Sequence, residues 1–284
     1  MEYVMEDFLA RPQAPWALRL VPPFPTVAAR ILAMVGQEDI GTQQISDLIK
    51  LDPSFSAELL RFANSALFGV SRQVTSLSHA VILLGLERVK TMATFVALNK
   101  MVKSSLKIKV LRKCWVHSLV TAMISDAAAQ RLQVSHDSAY TAGLLHNLGS
   151  LGLMSAYPDC YARMLEVSND YGFDLLKTER DLFEIDHCAA GAYLAQDWNF
   201  PDEIAAVLAT HHNAPVAGEL SLDNIVRIAW RLADVLGYAS FSPDKDWRYE
   251  DLLSYLPGVE RCWFGSGEEA ARQEIEERLT TTPF

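Results

Sequence analysis

The sequence predicts an all-α protein, a bundle of helices. Three observations predict it. Apolar residues recur at the 3.6-residue period along nearly the whole chain, and helix start and stop residues flank those stripes. Alternating strand patterns closed by Asn-Gly or Asp-Gly turns are missing. The chain has 284 residues, 50% of them hydrophobic, which is enough for a large core and too apolar for disorder.

The elements follow in order. Thr26 is placed to cap a helix through Val27, Ile31, Leu32 and Val35 that ends near Gly36, and Thr42 a short one through Ile45, Leu48 and Ile49. Asp52-Pro53 combines an N-cap with proline at the first helical position. The helix it opens carries Leu59, Leu60, Phe62, Ala63, Ala66 and Leu67 and stops at Gly69. Ser76 or Ser78 opens the next, through Val81, Ile82 and Leu84, with a break at Gly85 and a further helix over 86–102. A long helix is expected over about 107–132, then others near 137–156, 159–171, 174–184, 187–198, 201–212 and 221–237. Tyr157-Pro158 and Phe200-Pro201 separate neighbours, because a residue before proline is pushed out of the helical region. From about 240 the chain is acidic and punctuated by Pro and Gly, with one last helix near 267–279. A lobe boundary is expected near residue 105.

Composition narrows the function. There are 25 basic and 35 acidic residues, a net charge of −10, whereas a protein that coats phosphates carries a basic excess. The helix pair near 42–67 could be read as helix-turn-helix, but it lacks a basic recognition face, so no nucleic-acid partner is expected. The one basic cluster (Lys100, Lys103, Lys107, Lys109, Arg112, Lys113) reads as a solvated face at the lobe junction, with docking of an acidic partner as the alternative. No run of eighteen apolar residues occurs and the amino terminus has no signal-peptide pattern, so a cytoplasmic protein without a membrane partner is expected. Cys114, Cys160, Cys188 and Cys262 show neither zinc-ribbon nor disulfide-framework spacing.

The histidines carry the chemistry. His117, His146, His187, His211 and His212 fall beyond the lobe boundary near 105, and metal sites in helical bundles are built from such inward-pointing imidazoles together with carboxylates. His117 shares its face with Val120 and Ile124, and His211 shares its face with Ile204, Val207 and Leu208, so both are expected to be buried. His146 is flanked at helical spacing by Ala142, Gly143, Gly149 and Ser150, and His187 by Ala190 and Gly191; such small residues let another helix or a ligand come close. Asp234 lies opposite the apolar arc of its helix, where it could serve a site beside Trp230 and Arg227 or pair with Arg231. Simpler roles compete: Asp186 as an N-cap, His212 satisfying the last carbonyls of a helix, and each histidine as a hydrogen-bonded core residue.

At these residues the sequence resembles a known family. LVPPFPTVAARIL, DPSFSAELLRFANSALFG and VTSLSHAVILLGLERVK in the first half, then WVHSLVTA, YTAGLLHNLGSLGL, EIDHCAAGAYLAQDWNFP and LATHHN, resemble the HDOD domain over about 17–237. That family is related to the HD and HD-GYP phosphohydrolases, and the resemblance implies a two-lobed helical bundle with an HD-like C-terminal lobe. The domain it implies covers 17–237, with lobes at about 17–105 and 106–237, between an N-terminal extension (1–16) and a C-terminal tail (238–284) with one helix. Metal-active HD enzymes use a histidine, a His-Asp doublet and a late aspartate; the matching positions are His117, His146-Asn147 and Asp234, with His187, His211 and His212 matching the further histidines of HD-GYP enzymes. Two departures stand out. The doublet reads His146-Asn147, replacing a charged bridging carboxylate by a neutral amide, and Ser150 stands where active enzymes carry lysine. After His212 the chain reads NAPVAGE, without the acidic residue or the GYP signature that cyclic-dinucleotide hydrolysis calls for.

The reading that follows is a non-enzymatic signal-transduction module working through regulatory protein partners or a nucleotide-like ligand, with no catalytic residue and no required cofactor. The alternative is a metal-dependent phosphohydrolase with an altered ligand set. The candidate metal residues are His117, His146, Asn147, His187, His211, His212 and Asp234, either a vestigial polar pocket or a single divalent ion held by His117, His146, Asp234 and one of His187 or His211.

Overall fold

The structure, a computed structural model, describes residues 14–34, 41–64, 74, 76–132, 134–241, 247–256, 258–259 and 262–282. Among the described residues every regular element is a helix. The first lobe comprises α1 (Thr26–Met34), α2 (Thr42–Lys50), α3 (Pro53–Ala63), α4 (Leu77–Leu84) and α5 (Leu86–Val102). The expected helix ends at Val35-Gly36 and Ala66–Gly69 lie outside the described residues. Asp52 does cap α3, its Oδ1 accepting the Phe55 amide at 3.0 Å, and Ser76 caps α4 by accepting the His79 amide at 3.1 Å. Lys100 and Lys103 of the basic cluster reach back to Asp52 (3.8 Å) and Glu58 (3.9 Å) of the α3 segment, loose pairs at a wet surface.

The second lobe is organised by α6 (Lys109–Leu132), against which α7 (His136–Leu145) and α13 (Leu222–Ala233) pack. Between them run α8 (Leu148–Ala156), α9 (Pro158–Tyr171), α10 (Leu175–Phe183), α11 (His187–Asp197) and α12 (Asp202–Thr210). The expected lobe boundary falls at the short 3-10 turn Ser105–Lys107, and one apolar core, from Ala17 to Val226, runs continuously across it.

Three expectations need correction. The helix expected over 137–156 is two helices, broken at His146-Asn147. The His146 ring donates Nδ1–H to the Gly143 carbonyl at 2.7 Å, taking the acceptor that a continuing helix would leave to the Asn147 amide. The helix expected over 221–237 ends at Ala233 and passes into a π-type turn, Asp234–Tyr238, where Gly237 takes φ +91°. Among its described residues the tail holds two α-helices, α14 (Tyr249–Ser254) and α15 (Glu268–Thr281), where one was expected. They help to build a second core in which Leu252, Leu256, Phe264, Ala271 and Ile275 close over Val120 and Ile124 of α6 and Ile225, Ile228 and Leu232 of α13. Both α6 and α13 are thus apolar on two faces, one toward each core.

Candidate metal centre

Five histidines expected from sequence meet at the centre of the second lobe. His117 sits mid-way along α6, His146 at the α7–α8 break, His187 at the first turn of α11, and His211-His212 just past α12. Their rings form a connected chain with centroid separations of 5.3 Å (His117–His146), 5.2 Å (His146–His211), 5.3 Å (His187–His211) and 4.6 Å (His211–His212). His117, His146, His187 and His211 are 1–2% exposed.

The backbone fixes this arrangement. Asp186 is the N-cap of α11, its Oδ1 accepting the Ala189 amide at 2.9 Å, while Arg180 holds its other oxygen at 2.6 Å. Past α12, Trp230 donates its indole N–H to the His211 carbonyl at 2.7 Å, and Arg231 donates to the carbonyls of His212 (3.0 Å) and Asn213 (2.9 Å). The small residues admit helices. A Cβ on Gly149 would stand 1.9 Å from the His187 carbonyl oxygen, so α8 and α11 are in backbone contact at that point.

The orientation of the imidazoles decides what the cluster can do. The Nδ1 nitrogens of four rings are engaged on the outside: His117 with the Tyr238 carbonyl (3.1 Å), His146 with that of Gly143 (2.7 Å), His211 with that of Leu208 (2.9 Å) and His187 with Glu179 Oε2 (2.7 Å). A carbonyl or carboxylate there fixes the proton on Nδ1 and leaves the Nε2 lone pair as a ligand. The Nε2 of His187 lies 3.0 Å from that of His212 and 3.3 Å from that of His211. Lone pairs this close repel unless a cation, proton or metal, lies among them. Nitrogens bound at about 2.0–2.1 Å to one tetrahedral ion stand about 3.3 Å apart, so the spacing fits a single metal ion. Cys188 belongs to the same group of potential ligands, its Sγ 4.0 Å from His211 Nδ1.

Asp234 and Asn147 stand differently. Asp234 Oδ1 lies 3.3 Å from Nδ1 of His117, placing the carboxylate behind that ring and against the nitrogen that also meets Tyr238. The Asn147 carboxamide oxygen accepts the Ser150 hydroxyl at 2.9 Å, so the two positions that depart from the hydrolase pattern are bonded to each other. Glu179 was not anticipated. It is fully buried, accepts from Tyr161 (2.6 Å) and from the backbone and ring of His187 (2.8 and 2.7 Å), and lies on the apolar stripe Leu175–Glu179–Phe183 of α10. A carboxylate at the centre of such a stripe was the available signal.

Burial dominates the electrostatics. It pulls His117 down to about 4 and His212 to about 2, and holds His146 and His211 well below the ordinary histidine value, with the neighbouring imidazoles adding to the effect. His187 goes the other way. Burial again disfavours its charge, but Glu179 and Cys188 together outweigh that and raise it well above the ordinary value.

A profile of the HDOD domain matches residues 21–214. The chain belongs to the HDOD family. The family is related to the HD phosphohydrolases. An HDOD domain protein of unknown function from Geobacter sulfurreducens has the same fold, with a TM-score of 0.71 at 22% identity over 98% of this chain and 94% of that one. A candidate phosphohydrolase from Shewanella amazonensis SB2B superposes with a TM-score of 0.67 at 25% identity, over 96% of this chain and 98% of that one. An uncharacterized protein of Treponema pallidum (strain Nichols) is 27% identical over 201 residues, 70% of this chain and 39% of that protein, so this HDOD chain spans well under half the length of that relative. No described helix is long and apolar enough to cross a membrane.

Proposed function

We propose that this HDOD chain is a non-hydrolytic regulatory module, acting in the cytoplasm through contacts with regulatory proteins. The closure of the histidine cluster is the observation that carries this reading. Four of the five imidazoles are 1–2% exposed, and the fifth, His212, is flanked by Trp230 (5.1 Å) and stacked on Phe241 (6.0 Å). Hydrolysis needs a phosphate to reach a metal-bound hydroxide and a group to position it. Here Asn147 supplies no negative charge, and Ser150, where related enzymes carry lysine, is turned onto Asn147. That no disulfide joins the four cysteines accords with a reducing compartment.

The convergence of three Nε2 atoms favours a second reading, a metal-dependent phosphohydrolase with an altered ligand set. Assays of the purified chain against a cyclic dinucleotide and bis(p-nitrophenyl) phosphate, with added Mn²⁺, Fe²⁺, Ni²⁺ or Zn²⁺, separate the two. Background rates are expected throughout. Turnover that His146→Ala abolishes would overturn the first reading in favour of the second. Titration with nucleotides tests the remaining partner class, a nucleotide-like ligand, and saturable binding without turnover would make it a sensor.

A further inference from the structure

Glu179 is the least expected charge in the molecule. A carboxylate withdrawn from water costs several kcal/mol unless its oxygens are fully engaged. Here one oxygen accepts the Tyr161 hydroxyl at 2.6 Å and the other accepts both the backbone amide (2.8 Å) and the ring Nδ1–H (2.7 Å) of His187. Two of these bonds go to a single residue and fix its ring as well as its backbone. What the fixed ring presents inward is the Nε2 that lies within 3.0–3.3 Å of two further imidazole nitrogens.

A buried proton on His187 could satisfy one of those two contacts well. It cannot serve both equally, whereas an ion at the common point of the three nitrogens does. The two carboxylates at the cluster, Glu179 and Asp234, meet Nδ1 nitrogens, behind their rings. Imidazole donors suit zinc, copper, nickel and iron, while magnesium and manganese favour oxygen. A carboxylate hydrogen-bonded behind a ligating imidazole raises its basicity and supplies a negative charge that three neutral ligands lack.

We propose that Glu179, held by Tyr161, is the positioning residue that makes His187, His211 and His212 a site for one late first-row ion of the zinc class. The assignment presupposes a closed cluster but not the absence of hydrolysis, so it stands or falls separately from the regulatory reading. The ion would tie the start of α11 to the turn after α12, with α10 joined to it through Glu179. The site is then a cross-link inside the lobe.

The test uses the full chain, stripped with a chelator and titrated with Zn²⁺ by competition and with Co²⁺ by visible absorption. One equivalent of each is expected, with Mg²⁺ failing to compete. Glu179→Gln keeps the shape and removes the charge, and should weaken Zn²⁺ binding by about 10- to 100-fold and shift the cobalt bands. Tyr161→Phe frees one carboxylate oxygen and should weaken it less, with circular dichroism unchanged; if Glu179→Gln does not fold, this variant carries the test. Failure of the wild-type chain to bind Zn²⁺ overturns the site. Wild-type affinity and cobalt spectrum in both variants, or in Tyr161→Phe alone where Glu179→Gln does not fold, overturn the role of Glu179. Either result leaves the hydrolysis assays as they were.

Discussion

A Cβ placed on Gly149 would meet the carbonyl oxygen of His187 at 1.9 Å and the amide nitrogen of Gly191 at 2.7 Å. Both neighbours are backbone, so neither can swing aside as a side chain would. Gly149→Ala therefore forces α8 and α11 apart beside the cluster and moves His187 with them. We expect a loss of at least about 3 kcal/mol, above the usual range for overpacking because the obstacle is main chain. Thermal melts of the variant and the wild-type chain measure it. A melting temperature within 2–3 °C of wild type, on the order of 1 kcal/mol for a chain this size, would contradict the contact.

Acid should destabilise the fold through the same residues. His117 is held near 4 in the folded chain against 6.5 for a free imidazole. Between those values the unfolded chain binds a proton that the folded chain refuses, so the stabilising contribution is complete above 6.5 and is lost as pH falls toward 4. For His117 alone that is worth about 3 kcal/mol. His146, His211 and His212 act in the same direction; His187, whose value is raised, opposes them with stability present at low pH and lost as pH rises through its folded value. Four against one sets the sign. In chelator the melting temperature should drop between pH 7.5 and pH 5, and His117→Gln should flatten the drop. An equal melting temperature at the two pH values would count against burial of neutral imidazoles.

Asn147→Asp restores the carboxylate of the hydrolase pattern in a closed site. The new charge would lie in a position 2% exposed, with Ser150 as its established partner. A buried carboxylate so poorly compensated should lower stability by about 1–3 kcal/mol. Hydrolysis of bis(p-nitrophenyl) phosphate with Mn²⁺ should stay at background, because closure of the cluster and the serine at position 150 are untouched. Activity gained by this single change would show that the carboxylate was the one missing part.

Much of the site is legible in the sequence because burial follows periodicity. Val120 and Ile124 place His117 inward, Leu208 and Val207 do so for His211, and Asp186 reads as the cap it is. What the pattern misses depends on contacts between distant segments. Glu179 looks like one more charge on a helix whose other face is exposed, and only its alignment with Leu175 and Phe183 marks it. The break after His146 depends on a ring taking a carbonyl three residues back, which no propensity encodes. The second core escapes because part of what the tail adds to it, Leu252, Leu256 and Phe264 among others, lies on short segments too brief to show a period.

That second core supplies the last prediction. Phe264 lies fifty residues beyond the family match, yet it is fully buried, and its carbonyl accepts the Tyr249 hydroxyl. Cys262, two residues earlier, donates its thiol to the Ala127 carbonyl of α6 at 3.2 Å, tying the tail to the helix that carries His117. If the tail were an appendage, truncating Phe264 would leave the rest of the chain unaffected. As part of the core it should cost about 3–5 kcal/mol, the range for a buried phenylalanine cut to alanine. It should also speed hydrogen exchange along α6 and α13, which lose the same packed face. A drop in melting temperature with α6 exchange unchanged would mean the tail folds as its own unit; loss of protection in α6 would show that the segment outside the family match helps to hold the histidine-bearing helix.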